Sequence, residues 1–217
     1  MFAFLPCLVL ASHQPHEQLF RLDTTKGLRT EYGITMGATV YRGRPAVELI
    51  EEFDPVNGSY AVLPDVDFRD GTIDVDVAAT LTENAGGSRG FVGIAFRGAE
   101  DMHRYENFYL RMTNGQSPDP DQRSHAIQYC SVPEYTWDYL RRVRPGKYET
   151  HAGLELGAWT HIKVDVHGGE AKFFVGNSAA PALVVHGLLG GEAHGKVALW
   201  VHAHTHAYFS NLKIRTS

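Results

Sequence analysis

The sequence predicts an all-β protein made of two packed antiparallel sheets. Three observations carry that prediction. Short runs in which apolar and polar residues alternate recur along the chain. Clusters of Gly, Pro, Asn and Asp separate those runs. No long stretch shows the 3.6-residue apolar spacing of an amphipathic helix, so no crossover helices join parallel strands.

The elements follow in order. Phe2 to Ala11 is an apolar run with the length of a signal-peptide core, and Val9-Leu10-Ala11 is a candidate cleavage signal. No basic residue precedes it, and it is too short to span a bilayer. Residues 1–11 are therefore a candidate signal peptide, and an exported (periplasmic or extracellular) location is expected. Residues 12–217 are expected to form a single β-sandwich domain. "ATVYRGRPAVELI" reads as two strands around Arg42-Gly43-Arg44. "GTIDVDVAATL" places Ile73, Val75, Val77, Ala79 and Leu81 on one face. "RGFVGIAFR" places Val92, Ile94 and Phe96 on one face, and Gly93, Ala95 and Arg97 on the other. "YENFYLRM" places Phe108 and Leu110 opposite Tyr105, Asn107, Tyr109 and Arg111. "WTHIKVDVHGGEAKFFV" reads as a hairpin turning at Gly168-Gly169. "GKVALWVHA" puts Val197, Leu199 and Val201 inside, and "YFSNLKI" closes the chain. One irregular insertion, at about 131–150, is rich in aromatic and basic residues, and Glu134 to Arg142 reads as a short helix within it.

Composition excludes some functions. The chain has 217 residues, with 20 Lys+Arg against 25 Asp+Glu, a formal net charge of -5. A nucleic-acid partner would require basic surface, so none is expected. No other stretch is long and apolar enough for a membrane span. Two cysteines, Cys7 and Cys130, supply no disulfide framework.

The motifs "FRDGTIDVDV", "GFVGIAFR", "YENFYLRMTNG", "HAIQYCSVPEYTWDYLR", "PGKYE", "GAWTHIKVDV" and "GKVALWV…YFSNLKI" together resemble the concanavalin A-like lectin/glucanase superfamily. They are most similar to its bacterial laminin-G-like and 3-keto-disaccharide hydrolase-like members. The resemblance spans roughly Leu63 to Ile214. It implies a jelly-roll sandwich with a glycan site on its concave sheet, and hence an oligo- or polysaccharide partner. The fold hosts lectins, hydrolases and lyases alike, so it does not fix the reaction. The Glu-x-Asp-x-Glu strand of the retaining glucanases is absent, as is the Gln-Ile-His strand of the lyases. No cofactor is implied. A structural calcium ion braces many relatives of this fold, but no motif marks one here.

Several groups are candidates for the site. Gly93 and Ala95 would leave room above the sheet, and Arg97, Asn107, Tyr109 and Arg111 would surround it. Sugars take this mixture of flat rings and planar hydrogen-bond donors. Read as a strand, "RSHAIQY" puts His125 and Tyr129 on one face, with Gln128 able to join them through a bulge. His125 is the candidate general acid or base and Tyr109 its catalytic partner. Trp137 on the insertion and Trp200 on the sheet are candidate stacking platforms. Arg141, Arg142, Arg144 and Lys147 would line a lid, with Glu134 and Glu149 as its only glutamates. Asp74 and Asp76, about 7 Å apart on a strand, read as a solvated outer face. His202, His204 and His206 would share a face only if their strand continued, and a turn is expected there, so no metal site is assigned. The leading expectation is an enzyme of glycoside-hydrolase type. A non-catalytic glycan-binding module and a polysaccharide lyase with a Tyr/His pair remain open.

Overall fold

The structure is a computed structural model that describes residues 16–30, 34–53 and 55–217. The candidate signal peptide lies outside the described residues. Strands come first in the chain: β1 (His16–Phe20), β2 (Arg29–Thr30), β3 (Thr35–Tyr41), β4 (Arg44–Glu51), β5 (Ser59–Phe68), β6 (Gly71–Leu81), β7 (Phe91–Gly98) and β8 (Tyr105–Arg111). A short 3-10 turn (Met112–Gln116) and α1 (Pro120–Ser124) lead to β9 (Ile127–Val132). Next come α2 (Trp137–Val143), β10 (Glu149–Thr150), β11 (Thr160–His167) and β12 (Glu170–Val175). The chain ends with β13 (Leu183–His186), β14 (Gly195–His202) and β15 (Thr205–Thr216).

Among the described residues these strands make two antiparallel sheets. One has eight strands, in the order β13-β12-β11-β6-β15-β4-β3, with β1 also pairing with β15. The other has seven, in the order β10-β9-β8-β7-β14-β5-β2. The expected hairpins are present. Arg42 and Gly43 both take positive φ between β3 and β4, which a two-residue turn of this hand requires. Gly168 (φ 55°) turns β11 into β12.

Alternation sends one face of each strand into the space between the sheets. Ile73, Val75, Val77, Ile162, Val164 and Phe173 meet Ile94, Phe96, Phe108, Leu110 and Leu199 there, all essentially buried. Phe108 and Phe173 stack across the gap with centroids 4.3 Å apart. Burial of such a ring contributes about 2 kcal/mol. Two polar groups share this core. The Tyr129 hydroxyl donates to Glu106 Oε2 at 2.5 Å, and the Gly190 N–H donates to Glu106 Oε1 at 2.8 Å. Burial pushes the Glu106 pKa up, in spite of these hydrogen bonds.

The outer face of the eight-stranded sheet holds Asp74 and Asp76. His161 Nδ1 lies 3.0 Å from Asp76 and its Nε2 lies 3.6 Å from Asp74, while Arg44 Nη1 reaches Asp76 at 2.7 Å. Hydrogen bonds to the two aspartates raise the His161 pKa from 6.5 to about 9. A pKa raised in the folded state contributes stability that is fully present below about 6.5 and lost as pH climbs through about 9. The melting temperature of the wild type should therefore fall more between pH 6 and pH 10 than that of His161→Gln. Parallel melting curves for the two proteins would remove His161 from this role.

Candidate functional site

The outer face of the seven-stranded sheet is where the sequence places the decorated residues. The register explains how it is built. Tyr60, Trp200, Gly93, Tyr109, Gln128 and Glu149 pair in succession across β5, β14, β7, β8, β9 and β10. Directly paired residues point to the same side of a sheet. Gly93 is the one position in this row without a side chain. Trp200 and Tyr109 close over it, their ring centroids 4.7 Å apart. A Cβ at Gly93 would lie 2.2 Å from the Phe108 carbonyl oxygen and 2.6 Å from Tyr109 Cα. The row on one side is small, with Ala198, Ala95, Asn107 and Cys130. The row on the other side holds His202, Phe91 and Arg111.

Loops and α2 raise walls around this floor. Thr136 precedes α2, and Asp138 lies in its first turn, where a carboxylate suits the positive helix end. Trp137 and Arg141 are one turn apart, and the Arg141 guanidinium sits 4.9 Å from the Trp137 ring centre. The Asn57 carbonyl accepts from both Trp200 Nε1 (3.0 Å) and the Tyr105 hydroxyl (2.6 Å), which fixes the loop before β5 beside the floor. The result is a cleft of about 820 Å³ bordered by Arg89, Phe91, Tyr109, Arg111, His125 and Trp137. A smaller recess of about 220 Å³ adjoins it over Asn107, Cys130 and Trp200.

Arg111 organises the floor. Its Nη1 donates to the His125 carbonyl at 2.8 Å, and its Nη2 donates to the Tyr109 hydroxyl at 3.0 Å and to Gln128 Oε1 at 3.2 Å. His125 Nδ1 lies 2.8 Å from Glu149 Oε2, an ion-pair distance without hydrogen-bond alignment, and its Nε2 lies 3.6 Å from Asp121. Glu149 in turn receives Arg141 through Nε and Nη2 at 2.7–3.2 Å. Burial pushes the Tyr109 phenol well above its usual pKa, so it stays protonated, and pushes the Cys130 thiol up to about 12, so it is not a poised nucleophile.

The structure brings Tyr109, Arg111, Asn107, His125, Trp137 and Trp200 to this cleft and its recess. Gln128 shares the outer face but is fully covered and does not border the cleft; its side chain donates to the Tyr129 and Tyr148 carbonyls and accepts from Arg111. Two placements correct the sequence reading. Arg97 does not face the cleft. Phe96 and Arg97 together span the register shift opposite Val197, and Arg97 takes φ 51°, so the bulge breaks the alternation. Its guanidinium is 1% exposed and donates to the carbonyls of Arg69, Gly168 and Gly191 and to Asp70, joining three turns at one end of the sandwich. Tyr129 also lies elsewhere. It pairs with Phe108 on the inner face and its ring packs near Phe173.

Other differences are local. Pro120 to Ser124 is helical, capped by Asp119, which accepts from the Asp121 N–H at 2.9 Å. The strand expected from Arg123 therefore starts only at Ile127, and His125 enters the cleft from the helix end. The insertion helix begins at Trp137 rather than Glu134. Ala203 and His204 take positive φ and turn the chain between sheets, as expected. His206 then pairs with Glu48 at 2.8 Å on the eight-stranded sheet, so the three imidazoles do not converge. Asn114 and Phe91 border the cleft and were not read as site residues from the sequence, and His202, weighed there only as a metal ligand, borders it too. Phe91 has the parity of Gly93 and was legible. Asn114 sits in the 3-10 turn, where alternation carries no signal.

No family model and no curated protein matches this chain. Solved structures do. The carbohydrate binding module CBM66 from Bacillus subtilis superposes with a TM-score of 0.61 at 15% identity, covering 87% of this chain and 95% of that one. A Bacillus subtilis protein of unknown function with a galectin-like fold superposes with a TM-score of 0.58 at 13% identity, covering 92% and 94%. The Crh5 transglycosylase in complex with NAG gives 0.56 at 11% identity, covering 93% and 84%. At these identities the likeness is one of fold. The chain has the concanavalin A-like jelly-roll fold, two antiparallel sheets packed as a sandwich.

Proposed function

We propose that the protein binds a carbohydrate in the cleft between the seven-stranded sheet and α2. One observation carries this reading. An open cleft of about 820 Å³ combines aromatic surface (Phe91, Tyr109, Trp137) with planar polar groups (Arg111, Asn114). Sugar rings present apolar C–H faces to the former and hydroxyls to the latter. The fold neighbours that carry sugar-related names accord with it. An exported location suits such a ligand, and among the described residues no helix is long and apolar enough to cross a membrane.

Cleavage is the second reading, and His125 favours it. Its imidazole is sheltered at the cleft edge between Glu149 and Asp121. A histidine beside carboxylates at a cleft edge can serve as a general acid or base. Two features weigh toward simple binding. Glu149 is engaged by Arg141 on one side and His125 on the other, and the Tyr109 phenol is held protonated. A printed panel of neutral and anionic oligosaccharides tests the proposal, with hits assayed for new reducing ends and for unsaturated uronate absorbance. Binding without either product establishes a glycan-binding module, and product lost in His125→Ala establishes an enzyme. A silent panel rejects the proposal.

A further inference from the structure

We infer that the cleft selects a sugar bearing an anionic group, a carboxylate or a sulfate ester, through Arg111; this rests on the carbohydrate reading above. Arg111 is 5% exposed, and every acceptor it meets is neutral: a backbone carbonyl, a phenol and an amide. No carboxylate lies within ion-pair distance of it among the described residues. A sheltered cation without a counter-charge is costly; the Phe91, Tyr109 and Trp137 rings, 5.1–5.9 Å away, offset part of that cost, and an anionic ligand would offset the rest. Of its five N–H groups three are used, which leaves donors on Nε and Nη1.

The neighbouring charges agree. Arg141 and Glu149 cancel each other inside the cleft wall. Arg89 borders the cleft and has no carboxylate partner among the described residues. Asp121 and Asp138 are exposed on the rim, where water screens them. The sheltered part of the cleft is therefore net positive, although the chain as a whole carries -5.

Two further groups speak for a sugar around that anion. Asn107 Oδ1 and Asn114 Oδ1 are buried atoms without a hydrogen-bond partner. Asn107 lies over the smaller recess and Asn114 over the larger cleft, on either side of Tyr109. Orphaned buried polar atoms are rare in folded proteins. Both oxygens are closed to solvent, so a sugar hydroxyl would satisfy each one as its amide turns toward the ligand. The Asn114 amide is oriented by its Nδ2, which donates to the His125 carbonyl at 3.4 Å.

Three matched ligands test the inference: galacturonate oligosaccharides, the same oligosaccharides with their carboxyl groups reduced, and sulfated galactose oligosaccharides. Titration calorimetry on the intact wild-type protein is expected to give at least tenfold tighter binding for one charged arm than for the reduced arm. The arm that binds identifies the anion. Arg111→Gln should bring that ratio close to one, and Arg111→Lys should restore part of it. Since the wild-type ratio decides alone, a variant that fails to fold leaves the test intact. Equal or tighter binding of the reduced arm overturns the inference and leaves the carbohydrate reading standing. So does silence from all three ligands when the printed panel yields only neutral glycans. A panel that yields nothing overturns both.

Discussion

Gly93→Ala is expected to lower the melting temperature by about 10 °C. The new Cβ would press on the Phe108 carbonyl and on Tyr109 Cα, both backbone atoms of β8. Backbone in the middle of a sheet cannot step aside as a flexible side chain would, so β7 and β8 must separate. Overpacking of this kind costs about 3 kcal/mol, and in a chain of this size each kcal/mol moves the melting point by about 2–4 °C. The same substitution would prise Tyr109 and Trp200 apart, so binding should suffer with stability. Gly153→Ala is the control, because nothing lies within 4 Å of a Cβ there. A shift for Gly93→Ala no larger than that of the control would refute the close-approach argument.

Trp137→Ala should do the opposite, sparing the fold and weakening the ligand. The indole is 44% exposed at the start of α2 and contributes little to the core between the sheets. Its melting temperature should stay within about 2 °C of wild type. It is also the open aromatic wall of the cleft, beside Arg141 and Arg111. An aromatic anchor of this kind typically contributes about 2 kcal/mol to binding, so affinity for the bound oligosaccharide should fall about thirtyfold. Trp159, packed on Tyr41 over the other sheet, supplies the comparison: its replacement should leave affinity unchanged. Unaltered affinity in Trp137→Ala would place the ligand elsewhere.

Most of the fold was legible because alternation is a local property. Ile73, Val75 and Val77, or Val197, Leu199 and Val201, can be assigned to the core from spacing alone, and they are buried. The decorated face of β8 was legible for the same reason. Failures occurred where a single residue breaks the count. At Arg97 the bulge turns the side chain away from the cleft, and nothing in "GFVGIAFR" announces a positive φ on an arginine. The helix at Pro120 was missed, although Asp119 suits a cap and Pro120 the first helical position, and the run from Arg123 was read as one strand. That misreading put Tyr129 in the site, although its pairing with Phe108 fixes it inside. The link between His125, Glu149 and Arg141 joins the end of α1, β10 and α2. Such a link exists only after the chain has folded, and no spacing rule reveals it.

The most direct measurement is a crystal structure of the protein soaked with an oligosaccharide that it binds in solution. Sugar density is expected over Tyr109 and Trp137, within hydrogen-bonding distance of Arg111 and Asn114. Sugar density on the outer face of the eight-stranded sheet, beside Asp74, Asp76 and His161, with the cleft empty, would contradict that placement.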